Sequence, residues 1–451
     1  MENTLSVAMK NALTEKLLDS LHGPIPNGTP RMLFGKVDFP NKANAIIGMR
    51  RAGKTYLLHQ IRRNRLASGT PRELLPCIDF EDERLVGLQA SQLGFLLEEL
   101  RRQFPEVSRQ GVTVWCFDEI QVVQGWERFV RRLLDEGGCE VFVSGSSANM
   151  LSREIATSLR GRGWEVPLYP FSFAESMLYH EIALPKTPRA MSSRQRTTIE
   201  GAFSKWLVVG GFPEAQDLEQ QSRHELLTNY VNIAMYRDVI ERHNVSNVVA
   251  LRWLVRHLLG NAGSLFSIDK FYATLKSQKI SISKDTLHNF LPYLEDCFLV
   301  RIISIETSSE RKRMVNPRKS YPVDAGLIPV FDRSGKANIG HALETAVLIE
   351  LERRRCKATY VRTQSGYEVD FMSRNPLGEQ ELIQVCVDAS DYETAKRELR
   401  ALEEAGEEFP NAKKRLLVLR QDCFPSQAPE DVLVQPAYEW MLDVEYVHAY
   451  L

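Results

Sequence analysis

Residues 44–61 read NAIIGMRRAGKTYLLHQI. An apolar run, Ala45-Ile46-Ile47, ends in Gly48-Met49-Arg50-Arg51-Ala52-Gly53-Lys54-Thr55, and Tyr56, Leu57, Leu58 and Ile61 follow in a helical pattern. This is G-x-x-x-x-G-K-T between a strand and a helix. Gly48 and Gly53 permit a tight loop whose backbone N–H groups point inward at phosphate oxygens. The helix that follows adds the positive end of its dipole. Lys54 is placed to reach β- and γ-phosphates and Thr55 to ligate Mg²⁺. Gly48 through Tyr56 therefore form the candidate nucleotide cradle, with ATP and Mg²⁺ as the expected cofactors.

A second strand pattern supports the first. Residues 112–119, Val-Thr-Val-Trp-Cys-Phe-Asp-Glu, are apolar and end in two acids. In P-loop NTPases the first acid, here Asp118, holds the Mg²⁺ shell. The second, Glu119, is placed to polarise the attacking water as general base. Residues 140–147, Glu-Val-Phe-Val-Ser-Gly-Ser-Ser, form another apolar strand ending in small polar residues. Ser144 and Ser146 are both candidates to touch the γ-phosphate or the lytic water. The competing reading is an ordinary strand-to-loop transition.

A chain of 451 residues points to two to four domains. Hydrophobic content of 43% and charged content of 25% are ordinary for a soluble globular protein. A net charge of −1 gives no global pull toward nucleic acid, so any DNA-binding surface must be local. No run approaches 18 apolar residues, which argues against a membrane span and a membrane partner. The N-terminal residues are amphipathic and mixed in charge, unlike a signal peptide. The seven cysteines are scattered singly and read as small buried hydrophobes in a reducing cytoplasm. The nine histidines show no metal-binding spacing.

Residues 1–40 read as an N-terminal helix and a connector broken by Pro and Gly. Residues 41–170 alternate strands and helices, the pattern of a parallel α/β sheet. Residues 171–245 are mainly helical, the size and position of a lid. Residues 246–319 give three short helices and a β-hairpin, an order that resembles a winged-helix domain. Residues 320–451 run helix, strand, strand, strand, helix, strand, the layout of a restriction-endonuclease-like core. The expected fold is thus α/β: a P-loop NTPase core, a helical lid, a winged-helix domain and a C-terminal nuclease-like α/β domain.

The chain resembles the AAA-superfamily (AAA+) ATPases of bacteria and archaea that carry a C-terminal nuclease-like domain of unknown function. The nucleotide motifs carry the resemblance first: Gly48 to Thr55, Phe117-Asp118-Glu119-Ile120-Gln121 and Val143 to Ser147. Leu159-Arg160-Gly161-Arg162, Leu168 to Phe173, Glu175, Gly210-Gly211-Phe212-Pro213 and Tyr236-Arg237-Asp238 extend it. Tyr321 to Gly326, Glu344, Glu368-Val369-Asp370 and Ile383 to Cys386 complete it, nearly end to end. The resemblance implies a cytoplasmic ATPase that binds ATP and ADP and assembles into a homo-oligomeric ring, a hexamer or similar. It implies a sensor-1 role for Ser144 or Ser146. It also implies an arginine finger reaching a neighbouring subunit's γ-phosphate, for which Arg162 and Arg160 are the candidates.

DNA cleavage in the nuclease-like fold needs an acid at a strand end and E-x-K on the next strand. Asp370 and Glu344 supply acids, but Gln384-Val385-Cys386 stands where E-x-K is expected. Gln384 can still give a neutral oxygen to a metal; Cys386 cannot replace a lysine ammonium. The expectation is a domain kept for DNA binding or assembly, without nuclease activity. Arg311-Lys312-Arg313 with Arg318-Lys319 forms a basic cluster placed to lie on phosphates. The expected recognition helix, 283–296, carries Lys284 as its only base beside three acids, which argues against strong direct base readout. The reading at this level is an Mg²⁺-dependent AAA+ ATPase that binds and remodels or translocates DNA. Its rivals are a nucleotide-switched assembly ATPase and an ATP-regulated nuclease.

Overall fold

A computed structural model describes residues 5–106, 111–146, 161–332 and 338–443. The chain divides into two compact units, one reaching Leu168 and the other beginning at Tyr169.

The first unit opens with α1, Val7–His22, capped by Ser6, whose hydroxyl accepts from the Met9 N–H. Then follow β1, Ala43–Ile47; α2, Lys54–Ala67; β2, Cys77–Asp79; α3, Gly94–Gln103; and β3, Thr113–Asp118. They continue with α4, Trp126–Glu136; β4, Cys139–Gly145; and β5, Gly163–Pro167. β1, β3 and β4 fall on the apolar runs read from the sequence. The helix α4 buries Trp126, Phe129, Val130, Leu133 and Leu134, one stripe at helical spacing. The strands pair in parallel in the order β2-β3-β4-β1-β5. Ile46, Leu57, Leu58, Ile61, Val114, Cys116 and Phe142 build the core between sheet and helix. The N-terminal helix belongs to this body: Lys16 pairs with Asp82 at 2.7 Å.

This strand order positions the site. In open parallel sheets the crevice outside the carboxyl ends of the strands, where connections diverge, is where ligands bind. Here β4 lies between β1 and β3, so the carboxyl ends of all three meet.

The second unit begins with helices: α5, Phe173–Tyr179; α6, Ser193–Val209; and α7, Gln220–Ile233. Ser172 and Glu175 form a reciprocal capping box on α5. A π-helical stretch, Ala234–Glu241, continues from α7. Next come α8, Val248–Gly260; β6, Leu265–Phe266; α9, Ile268–Ser277; and α10, Lys284–Asp296. Then β7, Val300–Ile303; α11, Glu310–Val315; and β8, Arg318–Pro322 follow. Strands β6, β8 and β7 form a small antiparallel sheet in that order. Ser283 caps α10 by accepting from the Thr286 N–H at 3.0 Å. The hairpin linking β7 and β8 carries the short helix α11 at its tip.

The chain closes with α12, Ile339–Arg353; β9, Lys357–Arg362; β10, Glu368–Arg374; and β11, Gln380–Cys386. The last elements are α13, Tyr392–Glu408; β12, Lys413–Val418; β13, Val432–Pro436; and α14, Ala437–Leu442. The sheet runs β13-β12-β11-β10-β9, antiparallel from β9 to β11 and parallel beyond.

Two motifs far apart in sequence close on each other in this unit. Asp324 accepts from the Gly211 N–H at 2.7 Å and the Gly326 N–H at 3.0 Å. Gly210 has φ +80°, and a Cβ there would lie 1.9 Å from an Asp324 oxygen. A Cβ on Gly211 would lie 2.2 Å from the Phe171 carbonyl oxygen. The Gly-Gly-Phe-Pro and Tyr-Pro-Val-Asp-Ala-Gly motifs are therefore two halves of a backbone clamp. Burial pushes the Asp324 carboxyl up to about 6, against the two N–H donors. A folded value above the unfolded one near 3.9 contributes stability that is whole below pH 4 and lost as pH rises through 6. The difference is worth roughly 3 kcal/mol. Asp324→Asn is expected to remove this part of the slope, so the urea midpoints of wild type and variant, followed by circular dichroism, should separate from pH 4 to 7 as the wild type loses stability that the variant keeps.

Candidate nucleotide site and a buried lysine–carboxylate cluster

The loop after β1 follows from close backbone approach. The Leu168 N–H donates to the Ile47 carbonyl at 2.7 Å, and a Cβ on Gly48 would sit 2.1 Å from the Leu168 oxygen. Only glycine fits there. Gly53 has φ +97°, the left-handed conformation that turns the loop into α2. Arg31, buried at 3% exposure, donates through Nη1 to the Ala52 carbonyl at 2.5 Å. Its own backbone is fixed by Gln60 of α2, which accepts from the Arg31 N–H at 2.7 Å and donates to its carbonyl at 3.1 Å. Arg31 thus braces the loop from behind. The sequence does not reveal it, because a single arginine in an aperiodic connector carries no local signal.

Lys54 is buried at the start of α2. Its Nζ donates to the Gly48 and Met49 carbonyls at 3.2 and 3.3 Å and lies 3.5 Å from Glu119 Oε1. The Thr55 hydroxyl donates to Asp118 Oδ2 at 2.7 Å. The Ser144 hydroxyl donates to Asp118 Oδ1 and accepts from the Glu119 N–H at 3.0 Å. Ser144 on β4 therefore ties Asp118, the last residue of β3, to Glu119 that follows it, and Ser146 is fully buried. Glu119 holds φ +50°, a left-handed conformation rare outside glycine, which persists where surrounding structure enforces it. Gln121 donates to its carboxylate.

The two acids are shifted in opposite directions. Burial pushes the Asp118 carboxyl up, and its hydrogen bonds to Ser144 and Thr55 only partly offset this. Burial also acts upward on Glu119, but the Lys54 ammonium, the Gln121 amide and the Arg50 guanidinium outweigh it and leave the value lowered. Glu119 is thus held as carboxylate, the form a base needs. Arg50 pairs with Glu81 at 3.1 Å, Arg51 is exposed with φ +67°, and the Tyr56 ring is half-exposed. Met49 and Ala52 are wholly buried within the loop. Arg162 is exposed and paired with Asp135 of α4. Arg160 lies outside the described residues.

The second unit corrects one sequence expectation. The sequence places Lys319 among the phosphate-contacting bases, but the residue is only 2% exposed. Its ammonium lies 3.0 Å from Glu344, 2.8 Å from Glu368 and 3.1 Å from Asp370. A buried charge must be paired, and three carboxylates converge on this one from α12 and β10. Burial acts against the Lys319 charge, yet Asp370, Glu344 and Glu368 outweigh it and raise its pKa. Burial and then Asp370 push Glu344 up to about 7, although it accepts from Lys319 and, at 2.6 Å, from the Tyr321 hydroxyl. Gln384 accepts from the Asp370 N–H at 3.2 Å and donates to Glu398 at 2.6 Å. The cation that these three acids share comes from β8. Among the described residues no group of three or more His, Cys, Asp or Glu is arranged to hold a metal ion.

The other basic candidates divide. Arg311 and Lys312 are exposed on α11, and Arg313 is tied to Glu310 at 2.7 Å and to the Thr307 carbonyl at 3.1 Å. Arg318 is partly buried, and Lys284 pairs with Asp269. Among the described residues no helix is long and apolar enough to cross a membrane.

Comparison with known proteins agrees with the fold. A family model described as an AAA domain matches residues 40–177, and a domain of unknown function, DUF8612, matches residues 200–336. An uncharacterized protein of Methanocaldococcus jannaschii is 31% identical over 415 residues, covering 89% of each chain. A second uncharacterized protein, from Haemophilus influenzae, is 28% identical over 341 residues, 76% of this chain and 81% of its own. Among solved structures, the Walker-type ATPase of Pyrococcus abyssi aligns with TM-score 0.38 and 14% identity, over 71% of this chain and 95% of its own. The Aeropyrum pernix ORC1 protein, solved in complex with DNA, aligns with TM-score 0.28 and 15% identity, over 73% and 93%. With a phosphate-binding loop on β1, paired acids on β3 and a relative matching it nearly end to end, the chain belongs to the prokaryotic AAA+ ATPases.

Proposed function

We propose that this ATPase hydrolyses ATP with Mg²⁺ as an oligomer and couples turnover to DNA. One observation carries the hydrolytic part: Lys54, Thr55, Asp118 and Glu119 converge from two strand ends, with Thr55 and Asp118 2.7 Å apart. The donor set fits the metal. A buried carboxylate and an adjacent hydroxyl are hard oxygen ligands, and Asp118 has no direct cationic partner among the described residues. Bound there, Mg²⁺ would neutralise charge on the β- and γ-phosphates. Lys54 would leave its loop carbonyls for the phosphate oxygens, freeing Glu119 from its ammonium to accept a proton from water. Ser144 keeps Asp118 and Glu119 in fixed relation during this exchange.

Glu119→Gln is expected to retain ATP binding and lose turnover by roughly 10²- to 10⁴-fold, because an amide cannot take the proton. Fluorescent-nucleotide titration beside a phosphate-release assay separates the two. A normal rate in this variant means that another group is the base. Slow wild-type turnover that no DNA accelerates favours the nucleotide-switch reading instead.

The DNA part of the reading rests on local positive charge in a chain of net charge −1. The 246–319 region, read as a winged helix, presents Arg311 and Lys312 on the exposed tip between β7 and β8. Replacing Arg311, Lys312 and Arg313 with Ala should weaken binding about equally for unrelated duplexes. The slope of log K against log salt should drop by roughly 0.9 for each phosphate that is no longer neutralised, and the drop should come from Arg311 and Lys312. An unchanged slope returns the tip to a solvated turn. The nuclease-like domain is read as non-cleaving: Lys319 sits among the three acids, so the residues as placed do not fit a metal ion.

A further inference from the structure

The π-helical stretch carries Tyr236-Arg237-Asp238, a motif that the nucleotide site does not use. π-Helical segments are uncommon and concentrate at functional sites. This one spans Ala234–Glu241. Asp238 is buried and pairs with Arg242 at 3.4 Å, while Tyr236 and Arg237 face outward. Beside them, α8 turns Val249, Arg252, Trp253 and Arg256 to the surface, the spacing of a single helix face. The two elements are joined by Arg252. Its guanidinium carbon lies 5.4 Å from the centre of the Tyr236 ring, and its Nη2 donates to the Tyr236 hydroxyl.

The result is a basic surface interleaved with flat side chains. Trp253 is 43% exposed and Tyr236 38%. Arg237, Arg252 and Arg256 are all exposed, and among the described residues none of them pairs with a carboxylate. Glu241 is the nearby exposed acid in the stretch, so the patch keeps an excess of positive charge. An aromatic surface meant only for a protein core would not be lined with arginines that meet no carboxylate. An arginine patch meant only for solubility would not expose a tryptophan and a tyrosine beside them.

We propose that this surface binds single-stranded nucleic acid, with the arginines on the phosphates and a base stacked on Trp253. Unpaired bases offer a π-face to aromatic and guanidinium planes, while backbone phosphates follow a positive track. A duplex hides those faces, so the patch should discriminate in favour of single strands. The inference rests on the DNA reading above and names the strand form and the surface that serve it.

The test uses the full chain and fluorescein-labelled dT30, read by anisotropy at two or more salt concentrations. Wild type should bind dT30 more tightly than a 30-base-pair duplex at equal salt. Trp253→Ala should weaken dT30 binding about tenfold, with Trp253→Phe retaining most of it. The triple change of Arg237, Arg252 and Arg256 to Ala should lower the salt slope by up to about 2, at roughly 0.7 for each phosphate on a single strand. These side chains lie on the surface, so circular dichroism and basal ATPase should be unchanged, confirming the fold. Equal dT30 affinity in wild type and in the patch variants overturns the proposal while leaving the DNA reading intact. Unchanged dT30 binding with abolished self-association assigns the patch to a second copy of the chain and also overturns it. No binding of any DNA by wild type defeats both readings.

Discussion

Lys54→Ala is expected to lower ATP turnover by at least roughly 100-fold, the cost of removing a preorganised charge from a developing anion. The ammonium is already buried inside the loop, 3.2–3.3 Å from two of its carbonyls, and has only to turn from these to the phosphate oxygens. The substitution also removes the cation 3.5 Å from Glu119. Two effects then combine: weaker nucleotide binding, and a base whose carboxylate form is less favoured, because the Lys54 charge opposes the upward push of burial. Nucleotide titration should show weakened affinity and phosphate release should fall to background. Undiminished hydrolysis would overturn the site assignment, since no other described lysine occupies the loop.

The second large effect is one of stability. Lys319→Met should destabilise the second unit by about 3–5 kcal/mol, the usual cost of leaving a buried charge without its partner. Three carboxylates, Glu344, Glu368 and Asp370, surround that ammonium within 3.1 Å. In the variant their repulsion is relieved only by taking up protons, so the loss should be greatest at high pH and shrink toward pH 5. Melting followed by circular dichroism should shift downward by roughly 10 °C near neutral pH. A companion variant, Lys319→Met with Asp370→Asn and Glu344→Gln, removes the surplus negative charge and should recover much of the loss. A single variant as stable as wild type would mean that Lys319 is a bystander. The same cluster bears on cleavage: a wild type that nicks plasmid with Mg²⁺ would show that the lysine can leave the acids.

The nucleotide loop and both acids of β3 were readable in the sequence because their chemistry is local. Glycine spacing sets the loop, an apolar run of five or six residues sets each strand, and the acids stand at a strand end. Ser144 and Ser146 were readable as a pair of candidates, and the structure shows Ser144 bonding Asp118 and the Glu119 N–H. Arg31 was not readable. Its function is a hydrogen bond to a carbonyl 21 residues away, and nothing in a broken connector marks it. The glycine and Asp324 motifs could be seen as motifs, but their purpose appeared only when Gly211 and Asp324, 113 residues apart, proved to be hydrogen-bonded.

The clearest division concerns lysines and arginines. In the sequence, Arg311, Lys312, Arg313, Arg318 and Lys319 form one basic cluster, and each reads as a surface charge. By itself the sequence determined the α/β core, the phosphate loop, the paired acids and the presence of a basic segment after β7. The tertiary structure alone decided which of those bases faces water and which is buried. Alternation along β8 turns successive side chains to opposite faces, and one of those faces packs on α12 and β10. Burial then demands counter-charges, and these come from residues 25, 49 and 51 positions away. Local patterns specify the period of an element; only packing chooses the neighbours that a charge will meet.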